Sequence, residues 1–220
     1  MVNIGNGTRT GELGSAGEGL PQNPGRAELA QRLATKTSAV LMDKAEFLEM
    51  KETQGLHIVG VTGFSGQWDS SKVAADPALQ ADVAAATVMI HQLLMRLREK
   101  FGSKLVISTG ATMPGVPGLF YEACEHMGIA AMGVACEKAA DYTLGKMQYL
   151  IIEGADWGSE SPTFLETSDE IVMIGGGGQA KREAIAAGAS GKSVTVFQGF
   201  KGTADSLTAA DLPGAVFVKR

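Results

Sequence analysis

The sequence predicts an α/β fold, built on a doubly wound, mostly parallel sheet flanked by helices. From residue 56 onwards, short apolar runs that end in glycine alternate with stretches of helical spacing, which is the arrangement of α/β proteins. The apolar runs are continuous and do not alternate with polar residues, as is typical of strands buried on both faces of a parallel sheet. Ligands of such folds bind beyond the carboxyl ends of the strands.

Three parts are expected along the chain. Residues 1–25 are rich in Gly, Asn, Thr and Pro, so we expect a flexible arm there. Residues 26–55 carry apolar side chains at helical spacing, which predicts one or two amphipathic helices packed outside the main domain or against a partner subunit. An extended arm is the alternative for this segment. Residues 56–220 form the main domain.

Local patterns indicate each element of the main domain. The first strand lies within 56–63, and a long helix follows with Asp76 as its N-cap, Pro77 at the first helical position and Gly102 as its stop. Further strands are predicted within 104–110, 129–136, 147–154, 170–176, 193–199 and 215–220, with helical stretches at 116–127, 160–167 and 179–188.

Composition narrows the class of protein and its partners. The 220 residues are 45% hydrophobic and carry a net charge of -5, so we expect no broad basic surface and no nucleic-acid partner. The N-terminus lacks a signal-peptide pattern, and no continuous apolar run approaches the roughly 20 residues of a membrane helix. The two cysteines, Cys124 and Cys136, show no metal-binding spacing. We therefore expect a cytoplasmic protein with reduced thiols and no membrane partner.

Glycine-rich turns follow three of the predicted strands, at 61–71, 108–123 and 174–183. In a parallel sheet all three lie at one edge, where glycine lets backbone N–H groups approach a ligand. A helix that begins after such a turn offers unpaired amides and a positive dipole end, which suit a phosphate. The alternative is that the glycines serve only the steric needs of the strand-to-helix corners.

Several other kinds of site are disfavoured. Neither GxGxxG followed by an acidic residue nor GxxxxGK[ST] occurs, which argues against a standard NAD site and an ATP-hydrolysing loop. The three histidines, His57, His91 and His126, lack paired spacing, so we expect no metal, and no cofactor is expected either. Trp68 and Trp157 could each stack on a base or be ordinary half-buried aromatics.

The order of these motifs resembles the SLOG superfamily. This Rossmann-like group contains LONELY GUY-type cytokinin-activating phosphoribohydrolases, lysine decarboxylase-like proteins, molybdenum-cofactor carrier proteins and nucleotide-signal sensor domains. The resemblance spans about residues 56–200 and is strongest in "SDEIVMIGGGG" (168–178), which is similar to the family's SDAFIALPGGxGTxxE. It implies a Rossmann-like, SLOG-type nucleotide-binding domain over 56–220 and, because such proteins commonly dimerise, a homo-oligomer.

Departures from the family pattern concern the catalytic residues. The hydrolytic members carry a glutamate three residues after the threonine position, where this chain has Arg182, and Glu183 lies one place later. Eight residues before the "SD" they carry an Arg-Lys pair that supplies the catalytic arginine, where this chain has Glu160 and Ser161. Acid and base are thus exchanged relative to the family pattern, and a salt bridge between them could still close across the pocket. By this resemblance Glu183, Glu160 and Arg182 are the candidate catalytic residues.

The sequence therefore predicts binding of a nucleotide or another phosphorylated small molecule, as a sensor or carrier. The alternative is a phosphoribohydrolase that cleaves the N-glycosidic bond of a nucleoside 5'-monophosphate, so whether the protein is an enzyme stays open. The expected ligand-binding residues lie in the three turns: Gly63, Ser65, Gly66, Thr109, Gly110, Gly115, Gly118, Gly175, Gly176, Gly177, Gly178 and Gln179.

Overall fold

A computed structural model describes residues 24–220, with side chains from residue 28 onwards. Nearly all of the predicted flexible arm, residues 1–23, lies outside the described residues. The elements in chain order are α1 (Pro24–Ala34), β1 (Val40–Met42), α2 (Lys44–Gln54), β2 (His57–Gly63), α3 (Ser70–Ala75), α4 (Pro77–Phe101), β3 (Leu105–Thr109), α5 (Val116–Met127), β4 (Ala130–Ala135), β5 (Tyr149–Ile152), α6 (Ser161–Thr167), β6 (Glu170–Ile174), α7 (Gly178–Ala189), β7 (Ser193–Gln198) and β8 (Val216–Lys219).

The eight strands form one sheet in the order β1-β5-β4-β3-β2-β6-β7-β8. Every neighbouring pair is parallel, and helices cover both faces, which confirms the doubly wound α/β prediction. Leu33 of α1, Ile90 of α4 and Phe120 of α5 pack in one core cluster. Phe47 of α2 and Phe164 of α6 pack in the other.

The strand order reverses at β2. From β2 the chain builds β3, β4 and β5 on one side, and it then crosses to place β6 on the other side of β2. Gly63 and Ile174 are register partners at the carboxyl ends of these two strands. A crevice opens at such a switch point, and it is where ligands of open α/β sheets bind.

The segment 26–55 differs from the expectation of helices alone. Between α1 and α2, Val40–Met42 form strand β1, which pairs with β5 at the edge of the sheet. The side chains of Leu33 and Phe47 are buried in the two core clusters, so the segment packs against the sheet. A three-residue strand is too short to interrupt a helical pattern visibly, which is why the sequence did not predict it.

Helix α4 begins and ends as predicted. The Asp76 carboxylate accepts hydrogen bonds from the amides of Ala78 and Leu79, and Gly102 follows the last turn. By length and composition alone, Pro77–Lys104 could cross a membrane. One face of α4 is instead buried in the sheet core, and the absence of a membrane partner stays a prediction.

Candidate functional site

A cavity of about 270 Å³ lies at the carboxyl ends of the strands, beside the switch point between β2 and β6. We call it the strand-end cavity. Its volume is near the lower end of the roughly 300–1,000 Å³ of small-molecule sites. Its lining residues are Val61, Thr62, Gly63, Ser65, Gln67, Gly110, Thr112, Pro117, Val134, Trp157, Glu160, Phe164, Gly177, Gly178, Gln179, Ala180 and Glu183.

Helix α7 begins at the wall of this cavity. Gly177 is its N-cap, with an extended backbone, and no side chain in the described part of the protein caps it. Gly177, Gly178, Gln179 and Ala180 all line the cavity. Because the first amides of a helix have no acceptor within the helix and stand at its positive end, this wall can hold an anion.

The loop between β7 and β8 forms hydrogen bonds with the tetraglycine turn, residues 175–178. The amides of Thr203 and Ala204 donate to the carbonyls of Gly176 and Gly175, at 2.9 and 3.0 Å. The Thr203 hydroxyl also donates to the Gly177 carbonyl at 2.9 Å. These bonds fix the peptide planes of the turn without occupying the amides at the start of α7.

Eight of the nine glycines in the three turns fall into two groups, and the ninth, Gly178, would place a Cβ 3.3 Å from the end of the Arg182 side chain. In the first group the fold itself requires glycine, because a Cβ would come within 3 Å of an atom of another residue. The members of this group are Gly63, Gly115, Gly118, Gly175 and Gly176. In the second, a Cβ would meet open space and φ is not positive: Gly66, Gly110 and Gly177. Gly110 and Gly177 line the strand-end cavity, and no packing contact explains glycine at either position.

Further along α7, the wall of the cavity carries a buried carboxylate that accepts hydrogen bonds from two hydroxyls. Glu183, on α7, is only 5% exposed. Thr62 on β2 donates to its Oε2 at 2.5 Å, and Ser161 at the start of α6 donates to its Oε1 at 2.5 Å. Three elements thus fix this side chain, and both of its oxygens are engaged.

A second buried carboxylate, Glu160, adjoins the first. The Gln179 side-chain amide donates to both Glu160 Oε1 and Glu183 Oε1, at 3.0 Å each. The Gly158 amide donates to Glu160 Oε2 at 2.8 Å. Among residues 28–220, no Lys, Arg or His lines the cavity, although buried charges in proteins are usually paired. This end of the cavity can therefore bind hydrogen-bond donors and repels anions.

Arg182 does not take part in this arrangement. Its side chain is exposed, and it forms no ion pair within the part of the chain that the structure describes. The anticipated salt bridge to Glu160 is therefore not formed. Successive helical residues point about 100° apart, so Glu183 faces the cavity while Arg182 faces solvent.

Eight of the twelve predicted ligand-binding residues line one of two depressions. Gly63, Ser65, Gly110, Gly177, Gly178 and Gln179 line the strand-end cavity. Gly115 and Gly118 lie instead at a separate hollow of about 660 Å³ between α3 and α5. Gly66, Gly175 and Gly176 line neither. Thr109 is fully buried, and its hydroxyl has no hydrogen-bond partner among the described residues.

The two tryptophans have different surroundings. Trp68 is buried and packs against Phe64 and Phe200, so it is a core residue. Trp157 is 43% exposed and lines the strand-end cavity. Sequence reasoning missed Thr62 and Gln67, which also line it. The alternation of side chains along a strand could have placed Thr62 on the α7 side of β2.

Cys136 lies close to the carboxylate end of the cavity. Burial raises the pKa of its thiol, and the negative charge of Glu160 raises that pKa further. The thiol is therefore held protonated, which argues against a nucleophilic role. Across residues 24–220, no group of three His, Cys, Asp or Glu side chains is placed to hold a metal ion.

Three solved structures share this fold. TM1055, a structural-genomics target, has a TM-score of 0.54 and 22% identity, over 74% of this chain and 92% of that chain. The molybdenum cofactor carrier protein of Chlamydomonas reinhardtii has a TM-score of 0.52 and 16% identity, over 74% and 89% of the two chains. The molybdenum cofactor binding protein of the phototrophic bacterium Rippkaea orientalis has a TM-score of 0.56 and 18% identity, over 74% and 88%.

These similarities show a common Rossmann-like α/β fold, at identities too low to carry a function across. No protein-family model matches the sequence, and no curated protein sequence matches it significantly.

Proposed function

We propose that this protein is a member of the SLOG superfamily that binds a nucleotide or nucleotide-derived phosphate ligand in the strand-end cavity, as a sensor or carrier. The observation that carries the proposal is the start of α7, where no side chain of residues 28–220 caps the helix and Gly177 borders open space at the cavity wall. A phosphate there would receive the free amide hydrogens and the positive end of the helix dipole.

Two of the solved structures with this fold are named for carrying or binding the molybdenum cofactor. That description supports a carrier role and makes the molybdenum cofactor one candidate ligand. We further propose a cytoplasmic location, consistent with two buried, unpaired cysteines, and a homo-oligomeric state.

The proposal is tested with a substitution that gives the first amides of α7 a hydrogen-bond acceptor from the protein itself. In Gly177→Asp, the new carboxylate occupies the N-cap position, where aspartate accepts hydrogen bonds from the second and third helical amides. Gly177→Ala is the matched control, because it adds a Cβ without an acceptor. AMP, GMP, CMP and UMP are each compared with the corresponding nucleoside by thermal shift and calorimetry.

We expect the wild type and Gly177→Ala to bind at least one nucleotide more tightly than its nucleoside. Gly177→Asp should retain its fold and lose that difference, because its own carboxylate competes with the phosphate. The phosphate site would be overturned if Gly177→Asp and Gly177→Ala bind the nucleotide with equal affinity. It would also be overturned if the wild type binds each nucleotide no more tightly than its nucleoside.

The second candidate function is hydrolysis of the N-glycosidic bond of a nucleoside monophosphate. The observation that favours it is the position of Glu183, a residue of the cavity lining whose carboxylate could stabilise positive charge developing on a ribose. Incubation with the four nucleotides should then release free base and ribose 5-phosphate, and Glu183→Gln should abolish the release. Binding without release, in the wild type, identifies a sensor or carrier.

A further inference from the structure

Glu160 has unused hydrogen-bonding capacity although it is buried. Only 5% of the residue is exposed, and its oxygens accept one hydrogen bond each, from Gln179 and from the Gly158 amide. A carboxylate offers about four acceptor sites, so each oxygen keeps one that no described residue fills. Glu183 differs, because its Oε1 accepts from both Ser161 and Gln179. Glu160 is therefore the carboxylate with a free acceptor on both oxygens.

The charge of Glu160 is also uncompensated. Among the described residues it forms no ion pair, and the lining of the cavity contains no basic side chain. A buried carboxylate without a cation is costly unless several donors reach it. A ligand that presents two parallel N–H groups would satisfy both free acceptors at once.

An aromatic surface stands on the same loop. Trp157, three residues before Glu160, lines the cavity and is 43% exposed. The indole ring makes an edge-to-face contact with the ring of Tyr142, at a centroid distance of 5.6 Å. A planar heterocycle could contact this indole while its edge reaches the Glu160 carboxylate.

We propose that Glu160 and Trp157 form a subsite for a planar heterocycle with the N–H edge of a 2-amino-4-oxopyrimidine, the edge that guanine presents. Its ring N–H and its amino group are coplanar donors that match the remaining acceptor site on each of the two oxygens of one carboxylate. The inference rests on the proposed function for the phosphate end of the ligand. The same edge occurs in guanine nucleotides and in phosphorylated pterins, so the test includes both.

The experiment compares ligands that differ at this edge, at the ribose or at the phosphate. GMP, IMP (which lacks the amino group), AMP, 2'-deoxy-GMP, guanosine and a pterin phosphate are titrated by calorimetry into the wild type, Glu160→Gln and Glu122→Gln. Glu122 is an exposed carboxylate at the other hollow and serves as the control. Quenching of tryptophan emission is followed in parallel in the wild type and in Trp157→Phe.

We expect GMP or the pterin phosphate to bind at least about tenfold more tightly than IMP or AMP, since a bidentate pair discriminates by that order. The preference should vanish in Glu160→Gln and persist in Glu122→Gln. Ligand-induced quenching should be lost in Trp157→Phe. If GMP binds more tightly, the ligand is a guanine nucleotide; if the pterin phosphate binds more tightly, the ligand is a phosphorylated pterin.

Other outcomes separate this inference from the proposed function. Equal binding of GMP, IMP and AMP would overturn the subsite and leave the phosphate site standing. If 2'-deoxy-GMP binds more weakly than GMP while GMP and IMP bind equally, Glu160 contacts the ribose. That result would also overturn the subsite. If guanosine binds as tightly as GMP while IMP binds poorly, the subsite stands and the phosphate site fails. Failure of every ligand to bind would overturn both.

Discussion

The ring of Phe64 occupies the space that a Cβ on Gly175 would need, with a closest approach of 2.1 Å to Cε2. Phe64 follows β2 and Gly175 follows β6, so the contact joins two neighbouring strand ends. A Cβ on Gly202 would also meet this ring, at 2.5 Å. Part of the glycine-rich sequence therefore packs against one aromatic side chain, and another part, Gly177 and Gly178, borders the strand-end cavity.

Replacement of Gly175 should be costly. We expect Gly175→Ala to lower the free energy of unfolding by about 2 kcal/mol or more, because the methyl group overlaps Phe64 and φ is +61°. Urea unfolding measures the change. Gly178→Ala is the control, since its Cβ would meet only the end of the Arg182 side chain, at 3.3 Å. It should be neutral or stabilising by up to about 1 kcal/mol, and equal losses in both variants would contradict the distinction.

The two variants of Glu183 should differ in stability. Glu183→Ala leaves the hydroxyls of Thr62 and Ser161 without their acceptor, and we expect a loss of about 1–3 kcal/mol. Glu183→Gln keeps an acceptor oxygen and should lose less than about 1 kcal/mol. Chemical denaturation checks both values. An alanine variant as stable as the wild type would mean that the desolvation of the carboxylate cancels its hydrogen bonds.

Alkaline pH should destabilise the protein. Burial raises the pKa of the Cys124 thiol from 9.0 to about 12, and burial also raises the pKa of the Tyr121 hydroxyl. Both groups deprotonate first in the unfolded chain, so their stabilising effect is complete below about pH 9 and is lost as the pH rises. Each group contributes a slope of about 1.4 kcal/mol per pH unit. Cys124→Ala should have a shallower slope between pH 9 and pH 11, and an unchanged slope would contradict the assignment.

Lys201 has a left-handed backbone, with φ of +67°, and its side chain is exposed. We expect Lys201→Gly to raise the free energy of unfolding by about 0.5–1 kcal/mol, because relief of the strain exceeds the entropic cost of glycine. Lys201→Ala keeps the strain and should have no effect. Thermal and urea unfolding of the pair provide the measurement, and equal stability of the glycine and alanine variants would contradict it.

The sequence alone determined the architecture of the main domain. Continuous apolar runs predicted the parallel strands β2 to β8, and the pattern of Asp76, Pro77 and Gly102 placed α4 to within a residue. The helix expected at 116–127 is α5 with the same bounds. These features depend on neighbours within one or two helical turns, or on a continuous apolar run within a single strand, so a linear pattern records them.

Tertiary structure alone decided which residues meet in the cavity. Glu183 rather than Arg182 faces it because Thr62 and Ser161, from two other elements, hold that carboxylate. Gly175 and Gly177 look alike in the sequence, yet only Gly175 lies against Phe64. The space around a Cβ and the partners of a buried charge are set by residues far away along the chain, and no local pattern contains them.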